Sequence, residues 1–196
     1  YEKIAKKLIK SGGKIYLNSK VSNIDYNEKY ITDILVNDKT KFNVNDKDII
    51  ISTLPITHTA AMLGFKSDLR FRGIRSIYVS LNKKRVLPKN TNWLYFADKG
   101  IIFNRVSEPP TMCSNLTSAG KTYITAEITY QKNDKIDKLS YESISKIVIN
   151  DLIKTNLIKK NDVIGISENK EDFVYPVQFV NYKSSLAKAK QQVEKF

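Results

Sequence analysis

Few residues of this chain could do chemistry, and the most informative is an arginine. Arg105 lies in the run Arg105-Val106-Ser107-Glu108-Pro109 and is the only arginine between Arg85 and the C-terminus. A guanidinium binds a carboxylate or phosphate through two parallel N–H···O bonds, a geometry that the point charge of lysine does not reproduce. Strand alternation puts Phe103, Arg105 and Ser107 on one face and Glu108 on the other. Either Arg105 faces a cavity while Glu108 anchors the turn before Pro109-Pro110, or the two form a surface Arg–Glu pair worth under ~1 kcal/mol. Trp93 and Tyr95 share another strand face, as a stacking wall or, more in keeping with large aromatics, as core. Ser52 and Thr53 follow Ile49-Ile50-Ile51 directly, and such a polar pair needs hydrogen-bond partners. His58 has no acidic or cysteine neighbour in sequence and reads as an exposed residue at a helix start. The single cysteine, Cys113, excludes an intrachain disulfide, and one Cys with one His cannot ligate a structural zinc.

These residues sit in a chain of 196 residues with 41% hydrophobic and 27% charged side chains, enough to bury a core. The net charge of +13 raises the question of nucleic acid, but only five of the 33 cations are arginine, the usual reader of bases and phosphates. The lysines are spread through almost every segment, and no aromatic RNA-binding strand, zinc finger or helix-turn-helix spacing accompanies them, so nucleic acid is not expected as a partner. No apolar run approaches the ~20 residues of a membrane span. The start, Tyr1-Glu2-Lys3, resembles neither a signal peptide nor an initiator methionine, so a soluble, cytoplasmic fragment is expected.

The elements that must position the candidates follow from periodicity. Ile4, Ala5, Leu8 and Ile9 mark one face of a helix that Ser11-Gly12-Gly13 ends. Short β-branched runs separated by Asn-Glu-Lys and Asn-Asp-Lys turns then predict a small antiparallel meander. Asp48 to Ser52 reads as a strand buried on both faces and stopped at Pro55. A short helix follows, with Thr57 or Thr59 as its cap. Strands are expected at 74–81, 92–97, 100–107 and 121–130, then an amphipathic helix from Ser140 to Leu157, a strand region at 163–180 and a last helix carrying Leu186, Ala189, Val193 and Phe196. The fold class is α+β, an antiparallel or mixed sheet covered by helices.

The order GGKIYLNSKVSNI, a meander and then DIIISTLP resembles the central part of the FAD-dependent oxidoreductases that include amine oxidases, protoporphyrinogen oxidases and UDP-galactopyranose mutases. NWLYFADKGIIFNRVSEP, KTYITAEI and the Tyr-Pro of VYPVQFVNY look most like the mutase branch. The resemblance spans nearly all of the chain. It implies a piece of the FAD domain at 1–55 and most of the substrate-binding domain at 56–196, with N- and C-terminal parts of the same polypeptide missing. The family's GxGxxG loop, which seats the FAD pyrophosphate on backbone amides at a helix N-terminus, has no counterpart, because Gly12-Gly13 follow a helix and precede a strand.

By the same resemblance, Val21 matches a position whose backbone touches the adenine part of FAD, and Ser52, Thr53, Leu54 and Pro55 match a segment beside the cofactor. Arg105, Tyr175 and Tyr182 match positions near the substrate's anionic group, with a core tyrosine as the plain alternative for the last two. The implied function is that of a non-covalent FAD enzyme acting on a small molecule such as a nucleotide-sugar, with FAD not retained by this fragment. The alternative is a non-enzymatic basic module for an anionic polymer.

Overall fold

Near the N-terminus, alternating β-branched residues pair into a meander of β1 (Val21–Tyr26), β2 (Ile31–Val36) and β3 (Thr40–Asn43), antiparallel in that order. Asn37 and Asp38 make the second turn at φ of 53° and 54°, a left-handed conformation that short polar side chains tolerate. Helix α1 (Glu2–Lys10) forms as expected, yet it buries none of its residues. The computed structural model describes all residues from 1 to 196.

The Asp48–Ser52 strand does not form. Residues 48–55 have no strand pairing, and Ile49 and Ile51 are 88% and 83% exposed. A strand buried on both faces needs neighbouring strands and a cover on each side, and no strand in this chain pairs with it. The helix after Pro55, α2 (Ile56–Met62), has Pro55 itself at its N-cap with no side-chain cap. Thr57 and Thr59 therefore lie inside the helix, where Thr59 is buried, and neither caps it. The C-terminal helix α4 (Tyr182–Val193) packs on α2 and buries Ala189 of its predicted stripe.

Two compact units result: Tyr1–Leu69 with Phe179–Phe196, and Arg70–Gln178. The first unit thus runs to Leu69 and includes the last helix. Within that unit, the Tyr26 hydroxyl donates to the Leu63 carbonyl at 2.9 Å and the Tyr26 and Phe196 rings lie 4.5 Å apart. These contacts tie 56–69 and the C-terminus to the meander.

The second unit is built on β4 (Phe71–Leu81), β5 (Trp93–Tyr95), β6 (Arg105–Ser107), β7 (Thr122–Tyr130) and β8 (Val163–Pro176) in the order β5-β6-β7-β4-β8, every pair antiparallel. The odd residues of β4 from Gly73 to Leu81 and the even residues of β7 point to one side. There Ile77, Val79, Leu81, Ile124, Ala126 and Ile128 form a core with Ile144, Val148 and Leu152 of helix α3 (Tyr141–Lys154). Ser140 caps α3, accepting the Ser143 N–H at 3.2 Å. The helix covers one face of the sheet, as its apolar stripe requires.

Tyr130 and Lys132 both donate to Asp172 of β8, and Lys170 pairs with Asp137. Lys132 first and Tyr130 second hold the Asp172 carboxyl below its ordinary 3.8, and Lys170 with the Asn133 N–H does the same for Asp137. Groups depressed in the folded state add stability above the unfolded pKa, and that stability is lost as pH falls through the folded values. Resistance to urea is therefore expected to fall below about pH 4, and Asp172→Asn should lower stability at neutral pH while flattening this loss. An unchanged acid slope in Asp172→Asn would count against the assignment.

Candidate functional site

The face of the five-stranded sheet opposite α3 carries the side chains singled out by sequence. Cross-strand register places Trp93 beside Ser107, and Tyr95 beside Arg105, which in turn lies beside Glu127. Next to these on β7 and β4 stand Thr125 opposite Tyr78 and Tyr123 opposite Ser80, with the Tyr78 and Tyr123 rings 6.4 Å apart. The only α-helix of this unit, α3, packs on the other side.

Trp93 and Tyr95 are 48% and 70% exposed, so they are not core. They belong to a three-residue strand at the sheet margin whose one inward position is Leu94, packed against the core. What remains of the two readings is an exposed aromatic wall.

Arg105 lies at the centre of this arrangement. Its Nε donates to Glu127 Oε2 at 2.9 Å and its Nη2 to Oε1 at 2.7 Å, a two-bond fork. Its guanidinium carbon lies 5.9 Å from the Tyr95 ring centroid. Hydrogen bonding to Glu127 raises the guanidinium's pKa above its ordinary value, so the charge is permanent. The acidic partner is thus Glu127 and not Glu108. Phe103 does not share this face either, being 1% exposed in the core. Regular strand begins only at Arg105, and Asn104 interrupts the alternation by accepting the Thr129 N–H through its side-chain oxygen at 2.9 Å. Glu108 does lie on the opposite side and is 1% exposed, so its anchoring role has a structural basis. Its carboxylate accepts the Val86 N–H at 3.0 Å, the Leu87 N–H at 2.7 Å and the Thr122 hydroxyl at 2.7 Å.

Tyr175 is 49% exposed on β8, paired with Arg72 on the same face as Arg105. Three strand spacings, about 14 Å, and four residues along β4 separate the two, so they do not touch. Tyr182 begins α4 in the other unit, half-buried with its ring 6.1 Å from Phe179. His58 is exposed near the start of α2. The sequence reading missed Glu127, Tyr78 and Tyr123. Strand alternation in KTYITAEITY already sets Tyr123, Thr125 and Glu127 on one face, but only the pairing register puts Glu127 against Arg105.

The residues matched to FAD lie in the first unit. Val21 opens β1, half-buried and paired with Val36. Ser52 is exposed and its hydroxyl lies 2.9 Å from that of Thr59; Thr53 and Leu54 are exposed, and Pro55 is half-buried. None of them belongs to a glycine-rich turn whose amides could take a pyrophosphate. The residues present do not fit the whole dinucleotide. No group of three His, Cys, Asp or Glu side chains could hold a metal ion, and no helix is long and apolar enough to cross a membrane.

No family model matches the chain, and no curated protein matches its sequence. Solved structures do match its fold. A reduced UDP-galactopyranose mutase superposes with a TM-score of 0.82 at 17% identity, over 99% of this chain and 42% of that one. A structure assigned as a protoporphyrinogen oxidase from Exiguobacterium sp. 255-15 gives 0.72 at 13% identity, over 100% and 44%. An oxidoreductase from Methanosarcina mazei gives 0.60 at 19%, over 88% and 42%. The chain has an FAD-dependent oxidoreductase-like fold and spans less than half the length of the structures it matches.

Proposed function

We propose that this chain is the central portion of an FAD-dependent oxidoreductase of the amine oxidase, protoporphyrinogen oxidase and UDP-galactopyranose mutase kind. In this reading 56–196 supplies most of the substrate-binding domain, and the substrate is a small cytoplasmic metabolite bearing an anionic group, a nucleotide-sugar in the mutase-like case. The observation that carries it is the register that sets Trp93, Tyr95, Arg105 and Glu127 side by side on the sheet face left open by α3. Aromatic faces suit a flat or ring-shaped ligand, and a guanidinium held in orientation by Glu127 suits its phosphate or carboxylate. Tyr175, on the same face, is proposed to contribute its hydroxyl to the same substrate. Val21 and Ser52 to Pro55 are proposed to contact FAD at its edge, with the pyrophosphate seat supplied by polypeptide outside this chain. The flavin would carry the chemistry, and the chain's own residues would bind and orient the substrate.

In the full-length parent, Arg105→Lys is expected to raise KM or lower kcat/KM by roughly ten- to a hundredfold, the range of a hydrogen bond to a charged group. Folding should change little. Wild-type kinetics in that variant would remove Arg105 from the site. The isolated chain is expected to stay colourless after mixing with FAD and gel filtration, and a retained flavin spectrum would refute the edge-only assignment. The polymer-binding alternative predicts affinity that collapses steeply with added salt, which a small-ligand site would not show.

A further inference from the structure

Beside Glu108 and the start of β7, a cavity of about 400 Å³ opens. That volume lies within the range of small-ligand sites. Glu108 and Thr122 line it together with Lys84, Arg85, Lys121, Ser114 and Ser118. None of the three cations forms an ion pair. In a chain with 33 cations and 20 acids an unpaired lysine is ordinary, but three cations meeting at one concavity are not.

Arg85 distinguishes this place from a lysine-rich surface. Its Nε donates to the Leu87 carbonyl at 2.8 Å, and its Nη2 to the carbonyls of Pro88 at 2.8 Å and Thr91 at 3.1 Å. The guanidinium is fixed by three neutral acceptors, its charge stays uncompensated, and the two N–H groups of Nη1 have no protein acceptor. Such an edge is pre-organised for an oxyanion. The one carboxylate in the wall, that of Glu108, already accepts two backbone N–H groups and the Thr122 hydroxyl. Three cations and one carboxylate leave two positive charges.

We propose that this cavity binds a phosphate dianion, either as inorganic phosphate or as the phosphate of a monoester, at a site separate from the Arg105 face. Arg85 and the two lysines supply the charge, and Ser114 and Ser118 supply hydroxyl donors. The test is calorimetric titration of the full chain with inorganic phosphate and, separately, with glucose 1-phosphate in low-salt buffer. Saturable one-to-one binding is expected. The double variant Lys84→Gln/Lys121→Gln should weaken it at least about tenfold, a modest demand for two charged partners. A charge-matched control, Lys3→Gln/Lys47→Gln, should bind as wild type. Arg85→Gln also releases the 87–91 loop, so the lysine pair decides, with circular dichroism verifying its fold. Tighter binding of the monoester supports an organic phosphate, and binding of inorganic phosphate alone supports the free ion. Absence of saturable binding by either ligand overturns the proposal, as does wild-type affinity in the lysine double variant or equal weakening in the control.

Discussion

Glu108→Ala is expected to destabilise the Arg70–Gln178 unit by about 3–5 kcal/mol, enough to exhaust much of a domain's stability. The carboxylate is 1% exposed and holds the loop at Val86 and Leu87 to the start of β7 through Thr122. Its removal leaves two backbone N–H groups and a hydroxyl without acceptors, and each buried orphan costs about 1–3 kcal/mol. A void remains where the side chain stood. Glu108→Gln keeps the shape and one acceptor oxygen but sets an amide NH2 against the N–H donors, so a smaller loss is expected. Urea unfolding followed by fluorescence of Trp93, the single tryptophan, reports on this unit. If Glu108→Ala unfolds with the wild-type midpoint, the carboxylate is no anchor.

Arg75→Met is expected to cost a similar amount, about 3–5 kcal/mol, by a different route. Arg75 is 3% exposed on the core side of β4; it pairs with Glu168 of β8 and donates to the carbonyls of Ile136 and Leu139, each at 2.8 Å. These bonds fasten the 131–140 connection to the sheet before α3 begins. Methionine fills much of the volume, so the loss arises from stranding the Glu168 charge, which is 13% exposed, and two carbonyls. The double variant Arg75→Met/Glu168→Leu removes the stranded charge and should recover part of the stability while leaving the carbonyls unpaired. Absence of any recovery would place the cost in the carbonyls alone.

Both anchors illustrate how little of a polar side chain's role is legible before the fold is known. The sequence reading set Glu108 apart from Arg105 by strand alternation, and that separation holds because Val106 is the buried residue between them. The same alternation misassigned Phe103, since Asn104 replaces a backbone acceptor with its own side chain and shifts the phase by one. Nothing in the residues around Arg75 marks it as an anchor. Its partners lie 61, 64 and 93 residues away, beyond any local pattern.

The sequence by itself determined the local elements: the amphipathic stripe and Ser140 cap of α3, the meander with its Asn-Asp turn, and the β-branched runs of β4 and β7. Those signals are written within a few residues, in side-chain period and turn chemistry. It also carried the resemblance to FAD-dependent oxidoreductases, which the fold bears out. Only the tertiary structure decided the rest. Strand order β5-β6-β7-β4-β8 is set by long-range pairing, and that order brings Glu127 to Arg105 and turns Trp93 and Tyr95 outward. Ile49 to Ile51 have the composition of a buried strand and remain unpaired, because a strand needs a neighbour's N–H and C=O groups as well as apolar side chains.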